Sequence, residues 1–227
     1  MYLLYPPGGL AAGDSIEFNA QVTSGANVLI TTPSSTKVYR SENNVSVQKQ
    51  TLRVGSGTSL EWLPMDTILF GGSRARIDTE IRLDAGAAFI GWEALALGRP
   101  RSGDRYESGM LSQRTKIFVD SEAVLLERLA WHAGDPVLSA DWGLAGDTVW
   151  GAVYAYPADD NVVASIRDNS AVQANVRIGV TLLGHLMVAR LISDNAQSLR
   201  FALEASWKTL REPVMGHEPT PPRIWMT

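Results

Sequence analysis

The chain contains no cysteine. This absence excludes a disulfide framework and any metal site built on thiolates. Histidine is almost as scarce, because only His132, His185 and His217 occur, and no two of them have the short spacing of metal ligands. We therefore predict that no tight, preformed metal site exists in this chain.

Long apolar runs are also missing. Since about 20 consecutive apolar residues are needed to span a bilayer, we expect no membrane helix. We also expect no secretory signal, because no basic segment followed by an apolar one opens the sequence. The net charge of −4 disfavours a nucleic-acid partner, which usually meets a basic surface. We expect a soluble cytoplasmic protein that contacts neither membrane nor nucleic acid.

Two families of catalytic loop are absent as well. The glycine pairs Gly8-Gly9 and Gly71-Gly72 are not followed by the Lys-Ser/Thr pair of a phosphate-binding loop. The segment 55–57 has the sequence Gly-Ser-Gly but lacks the Gly-x-Ser-x-Gly pattern of a nucleophile elbow. Nucleotide binding and serine hydrolase chemistry are therefore not expected.

A degenerate repeat dominates the first half. Residues 16–30, 50–63 and 79–92 each alternate apolar and polar positions, turn at a glycine and alternate again. The turn glycines Gly25, Gly57 and Gly86 lie about 30 residues apart. The pattern predicts a mostly β, layered or solenoid-like scaffold of strand–Gly-turn–strand repeats, with an irregular β-sandwich as the alternative.

The last third changes character. A helix is predicted over 193–210, because its apolar residues form one stripe; Ser193 or Asp194 would cap it and Glu212-Pro213 would end it. We treat 1–227 as one domain, with β repeats over 1–157 and a strand and helix part over 158–227. Further predictions are strands at 115–119, 124–129 and 149–156, a surface loop at 132–146, a short helix at 159–169 capped by Asp159, two strands within 176–192, and an extended tail from 216.

Six ordered segments carry a family resemblance. They read YLLYPPGGL with GD (2–10, 13–14), TTPSSTKVYRS (31–41), LEWLPMD (60–66), GWE with LGRPRSGD (91–93, 97–104), LLER (125–128) and PRIWMT (222–227). Together they span the chain, and they resemble the UreD (UreH) family of urease accessory proteins. Family members usually carry several dozen residues before the first of these segments, so we expect one sheet to present an uncovered edge here.

The resemblance implies a non-enzymatic scaffold or chaperone. Such a protein would bind UreF, reach the GTPase UreG through UreF, dock on the urease apoprotein and assist nickel insertion. The family is thought to conduct Ni²⁺ through an internal tunnel, so the metal would be in transit and no cofactor would be tightly bound. The alternative from another class is a β-solenoid hydrolase using a carboxylate pair such as Asp14 and Glu93, which would need both acids exposed in an open groove.

Carboxylates inside the resembling segments are the candidate nickel ligands. A carboxylate in an apolar strand is costly to bury unless it is paired or hydrogen-bonded, so Arg99 and Arg128 are the expected partners and a purely structural ion pair is the competing interpretation. On the resemblance, the predicted nickel path comprises Asp14, Thr36, Glu93 and Glu127, with Glu61 and Asp66 as second choices.

Tryptophan is frequent, with seven residues. Trp131, Trp142 and Trp225 flank a loop or lie in the tail, so they are candidates for exposure, and exposed tryptophans are enriched at protein contacts. We predict possible partner contacts at Trp207, Arg211, Arg223 and Trp225. For the tail, packing back onto the body is the equal alternative.

Overall fold

The computed structural model describes residues 1–5, 7–170 and 175–226. Its strands are β1 (Ser15–Val22), β2 (Asn27–Thr31), β3 (Thr36–Val38), β4 (Ser46–Val54), β5 (Ser59–Leu63), β6 (Thr67–Leu69), β7 (Arg74–Leu83), β8 (Ala88–Leu97), β9 (Met110–Val119), β10 (Glu122–His132), β11 (Val149–Tyr156), β12 (Arg177–Leu183) and β13 (Leu186–Ser193). The helices are α1 (Pro136–Ser139), α2 (Asp160–Ser170) and α3 (Ala196–Met215), with 3₁₀ turns at Pro100–Ser102 and Arg223–Met226.

The strands form two sheets. Sheet one has the order β1-β4-β7-β9-β10, and sheet two has the order β12-β13-β11-β8-β5-β2, with the short β6 paired to β8 and β3 paired to β6. Strands from successive repeats pair in parallel in both sheets, as β1-β4-β7-β9 and as β2-β5-β8. The prediction of a mostly β, solenoid-like scaffold is confirmed.

Glycine turns form the corner at which each repeat passes from sheet one to sheet two. Gly25, Gly57 and Gly86 all have positive φ, between 69° and 78°. The corners stack, because the Gly57 amide donates to the Gly86 carbonyl over 3.0 Å. Alternation in the repeats therefore sends one set of apolar residues into the space between the sheets.

Two apolar cores result. The first lies between the sheets and includes Leu52, Ile81, Phe89 and Tyr154. The second lies between the outer face of sheet two and the helices α2 and α3. The predicted stripe of α3 is confirmed, since its members Leu199, Ala202, Leu203, Ser206, Trp207 and Leu210 are all buried.

Both predicted ends of α3 are wrong. The cap is Asn195, whose Oδ1 accepts from the Gln197 and Ser198 amides over 2.9 and 3.1 Å, while Ser193 still belongs to β13. The helix runs through Pro213 and ends before Gly216, which has φ 70°. Burial of Val214 against the second core favours this extra turn, although proline removes one backbone donor.

Two other expectations need adjustment, and a third is confirmed. The loop over 132–146 contains α1, and the tail ends in a 3₁₀ turn instead of remaining extended throughout. Asp159 does cap α2, because its Oδ1 accepts from the Val162 amide over 2.9 Å. Within the described ranges, the helices are too short or too polar to cross a membrane.

Gly57, at a repeat corner, and Gly98, directly after β8, offer a matched pair for testing how backbone crowding adds to the cost of a left-handed residue. Both have φ near 70°, but a Cβ on Gly98 would lie 2.5 Å from the Asp104 carbonyl oxygen, whereas one on Gly57 would meet nothing within 4 Å. We expect Gly57→Ala to lower the unfolding free energy by about 1 kcal/mol, the cost of the left-handed conformation. Gly98→Ala should cost roughly 2–4 kcal/mol, because backbone must also move.

Urea denaturation of both variants measures the difference. Equal losses of stability in the two variants would contradict the crowding at Gly98.

Candidate functional site

A row of polar side chains crosses the otherwise apolar space between the sheets, and we call it the polar layer. In sheet one its residues occupy directly paired positions on four neighbouring strands. In sheet two they occupy the paired positions on the opposite side of the core. Its members are Gln50, Thr79, Thr115 and Glu127 in sheet one, Glu93 and Arg190 in sheet two, and the neighbouring Gln113 and Tyr154.

Glu93, on β8, is the centre of the polar layer and is only 7% exposed. Its Oε1 accepts from the Thr79 hydroxyl over 2.5 Å. Its Oε2 accepts from Gln113 Nε2 over 3.0 Å, from the Thr115 hydroxyl over 2.9 Å and from the Tyr154 hydroxyl over 3.3 Å. All four donors are neutral, so none of them balances the charge of an ionised carboxylate.

This environment shifts two acids in the same direction. Burial raises the pKa of the Glu93 carboxyl, and the nearby Glu127 adds to the rise, although hydrogen bonds from Thr79, Thr115 and Tyr154 oppose it. Burial, followed by the charges of Glu93 and Glu127, raises the pKa of the Tyr154 hydroxyl well above its ordinary value. The site therefore holds protons more firmly than water-exposed acids would.

Glu127 continues the polar layer to β10, the edge strand of sheet one. Its Oε1 accepts from Arg190 Nε over 2.9 Å, and Arg190 is partly open to solvent. The expected partners were wrong, because Arg99 lies over the Phe70 ring near Asp104 and Arg128 is exposed. Alternation along β10 points Arg128 away from Glu127, and the true partner comes from a strand 63 residues later.

A cavity of about 370 Å³ ends at Glu93. Its inner end is lined by Gln48, Gln50 and Gln113, and its walls by apolar side chains that include Phe18 and Trp62. Its outer end includes Leu4, which is 67% exposed, so the cavity reaches solvent. The polar layer thus connects a solvent-open cavity with the Glu127–Arg190 pair.

Several buried polar atoms along this route lack a partner in the described part of the chain. They are the Oε1 atoms of Gln48, Gln50 and Gln113, Glu127 Oε2 and Trp62 Nε1. Buried polar atoms are normally satisfied by protein or by water. Water or a ligand in the cavity would supply the partners that these atoms lack.

Comparison with known proteins agrees with the six sequence segments. The family model described as UreD urease accessory protein matches residues 1–226. The chain belongs to the UreD family of urease accessory proteins. Over its full length it is 44% identical to a urease accessory protein UreD of Alkalilimnicola ehrlichii, covering 78% of that protein. It is 37% identical to one of Pseudomonas putida and 36% identical to one of Klebsiella aerogenes, covering 80% and 82% of them.

In this UreD chain, some residues predicted for the nickel path lie in the cavity or the polar layer, and the others lie outside both. Thr36 and Glu93 line the cavity, and Glu127 continues the polar layer. Asp66 lies beside the cavity wall, where its Oδ1 accepts from the Ser35 hydroxyl over 2.6 Å. Asp14 is exposed in a turn, where its Oδ2 accepts from the Ala11 amide over 2.8 Å, and it does not line the cavity.

Glu61 faces away from the cavity. It lies on β5 beneath α3, and it accepts from Trp207 Nε1 over 2.5 Å and from Arg211 over 3.2 Å. Arg211 also donates to the Glu218 carbonyl. This UreD carboxylate therefore fixes the C-terminal helix to the sheet, while the neighbouring Trp62 lines the cavity.

The C-terminal tail packs back onto the body of the UreD fold. Trp225 contacts the rings of Trp92 and Trp207, and its Nε1 donates to the Thr31 hydroxyl over 3.0 Å. Among the predicted partner residues, Trp207 is fully buried and Arg223 is exposed. Of the tryptophans beside the loop, Trp142 is 75% exposed as expected, but Trp131 is buried.

Sequence reasoning missed most of the polar layer. Thr79 and Gln50 occupy inward positions of the repeat, where the next inward residues are Ile81 and Leu52. A polar residue on the apolar face of an alternating strand is a detectable signal. Arg190 and Tyr154 carried no such signal, because only the pairing of distant strands brings them to Glu93 and Glu127.

Among the described residues, no group of three His, Asp or Glu side chains is arranged to hold a metal ion. A cation in the cavity would therefore meet one carboxylate, together with amide and hydroxyl oxygens.

The pH dependence of stability tests the state of Glu93. Because its folded pKa lies above the ordinary value of 4.5, the stabilisation from its retained proton is complete below that value. It is lost as the pH rises through the folded pKa. Glu93→Gln lacks this titratable proton, so its unfolding free energy should fall less as the pH rises above 4.5.

Chemical denaturation at a series of pH values measures the unfolding free energy of the parent and the variant. Glu80→Gln, on the outer face of β7, is the control and should show the parent's pH dependence. A Glu93→Gln variant with the parent's slope would contradict the assignment.

Proposed function

We propose that this UreD protein assists urease activation by conducting Ni²⁺ through the polar layer. The ion would enter at the cavity, pass Glu93 and leave near Glu127 and Arg190. The protein would act in the cytoplasm as a scaffold that binds UreF, reaches UreG through UreF and docks on the urease apoprotein. The observation that carries the proposal is a solvent-open cavity that ends on a buried carboxylate without a cationic partner.

The chemistry of the route suits a divalent ion that is passed along. Oxygen donors bind Ni²⁺ less tightly than nitrogen or sulfur donors do, and a single carboxylate holds an ion less firmly than a complete ligand set. Amide oxygens of Gln48, Gln50 and Gln113 can accept from the waters of a hydrated ion. Such a site would bind the ion weakly enough to release it.

The Glu127–Arg190 pair supports an exit at that end. Glu127 Oε2 is buried without a partner while its Oε1 is paired, so one oxygen remains available to a passing ion. The Arg190 side chain is 40% exposed but that of Glu127 only 16%, so moving Arg190 outward would cost more than breaking a surface ion pair unless a passing cation took its place. The pair would thus guard the exit without closing it permanently.

Partner contacts are best supported on the outer surface of the C-terminal part. Phe201 on α3 is a large exposed apolar residue, and Arg223 is exposed in the tail. Trp207, Arg211 and Trp225 would act indirectly, by holding α3 and the tail in place. This surface is the proposed site for UreF.

The hydrolase alternative gains no support from the geometry. Asp14 is exposed in a turn outside the cavity, whereas Glu93 is enclosed between the sheets. An acid pair that cleaves a glycosidic bond must flank one open cleft. These two carboxylates do not share such a cleft.

Reconstituted activation of apo-urease with UreF, UreG and nickel tests the proposal. Glu93→Ala and Glu127→Ala should slow activation at least about tenfold, the effect of losing one charge-assisted contact of about 1.4 kcal/mol. Binding to UreF and to urease should persist, because neither side chain reaches the outer surface of α3. Pull-down of the same variants measures that binding.

Glu80→Gln is the matched control, since Glu80 lies on the outer face of β7, next to Thr79 in sequence, and pairs with Arg82. Full activation by both alanine variants would refute conduction through the polar layer. Loss of partner binding in the same variants would assign them a structural role instead.

A further inference from the structure

The inner end of the cavity is rich in hydrogen-bond acceptors, and several of its amide oxygens have no partner among the described residues. Gln50 and Gln113 are only 5% and 2% exposed. Each directs its amide nitrogen into the polar layer, to Thr79 over 3.2 Å and to Glu93 over 3.0 Å. Their Oε1 atoms are buried and unpartnered within the described residues, as is that of Gln48.

Only donors can satisfy these atoms. The three amide oxygens are acceptors at any pH. The Glu93 carboxyl group becomes a fourth acceptor when a cation binds beside it, because a nearby positive charge favours the ionised form and its present donors are all neutral. The cation nearest along the layer, Arg190, is already paired with Glu127. Lys49, which lines the outer part of the cavity, is paired with Glu17 over 3.0 Å.

The walls outside this end are apolar. Phe18 and Trp62 stack with ring centroids 5.1 Å apart, and Ile16, Ile77 and Leu95 extend the apolar lining. Small-molecule sites typically combine such walls with a few polar groups that fix orientation. A bare or hydrated metal ion makes no use of an apolar wall.

We propose that the cavity binds a small organic cation, namely a primary ammonium or guanidinium group on a short apolar stem. The cationic head would donate to Glu93 and to the free oxygens of Gln50 and Gln113, and the stem would lie against Phe18 and Trp62. This site does not rest on nickel transit, since it follows from the acceptors and the apolar walls alone.

The donors matter as much as the charge. A primary ammonium offers three N–H donors and a guanidinium offers five, whereas a quaternary ammonium offers none. An alcohol of equal length has one donor and no charge, and a carboxylate of equal length would be repelled by Glu93. The site should therefore separate these classes.

Isothermal titration of the purified full chain in phosphate buffer tests the site, with four probes of similar size. These are butylammonium, tetramethylammonium, butanol and butyrate. Butylammonium should bind at least about tenfold more tightly than the other three, because charge-assisted hydrogen bonds are worth about 1.5–3 kcal/mol each. Equal binding of all four probes, or no heat from butylammonium, would overturn the proposal.

Variants locate the bound cation. Glu93→Gln should weaken butylammonium at least about tenfold, and Gln113→Leu should also weaken it while leaving the carboxylate in place. Glu80→Gln should bind as the parent does. Circular dichroism establishes that each variant is folded, and undiminished binding by both Glu93→Gln and Gln113→Leu would refute the site. Such a failure would leave the nickel activation assay unaffected, so the two proposals are tested separately.

Discussion

Burial of the Glu93 carboxyl group constrains the rest of the fold. Its four hydrogen-bond donors come from β7, β9 and β11, so one side chain on sheet two fixes the position of two strands of sheet one and of its own neighbour. A buried carboxyl without these donors would cost several kcal/mol. A slip of one residue in β7 would replace Thr79 with an outward-facing neighbour and leave Oε1 without its donor.

Alternation along β5 and β8 connects the cavity with the helical layer. On β5, Glu61 holds α3 and Trp62 lines the cavity; on β8, Trp92 contacts Trp225 and Glu93 ends the cavity. Adjacent residues of the same strand therefore serve opposite faces of sheet two. A partner that bound α3 and the tail would press on the same two strands that form one wall of the cavity.

The sequence alone predicts the repeat, its glycine corners and the buried stripe of α3, because each depends on residues close together in the chain. It fails where distant strands meet. Glu127 pairs with Arg190 across 63 residues, and Glu61 with Arg211 across 150, so the nearby Arg99 and Arg128 were the wrong partners. The strands β3 and β6 have three residues each, too few to show alternation. Burial of Val214 similarly outweighs the local signal of Pro213.

The two most enclosed carboxylates differ in what surrounds them. Glu61 meets Arg211 and the Trp207 indole, so its charge is balanced and its oxygens are occupied. Such a pair contributes to structure and offers nothing to a ligand. Glu93 meets neutral donors only, beside amide oxygens that have no partner in the described chain. An arginine in place of Gln113 would satisfy the carboxylate and close the route to any other cation. Unlike Glu61, Glu93 is thus left able to pair with the cation that we propose enters from the cavity.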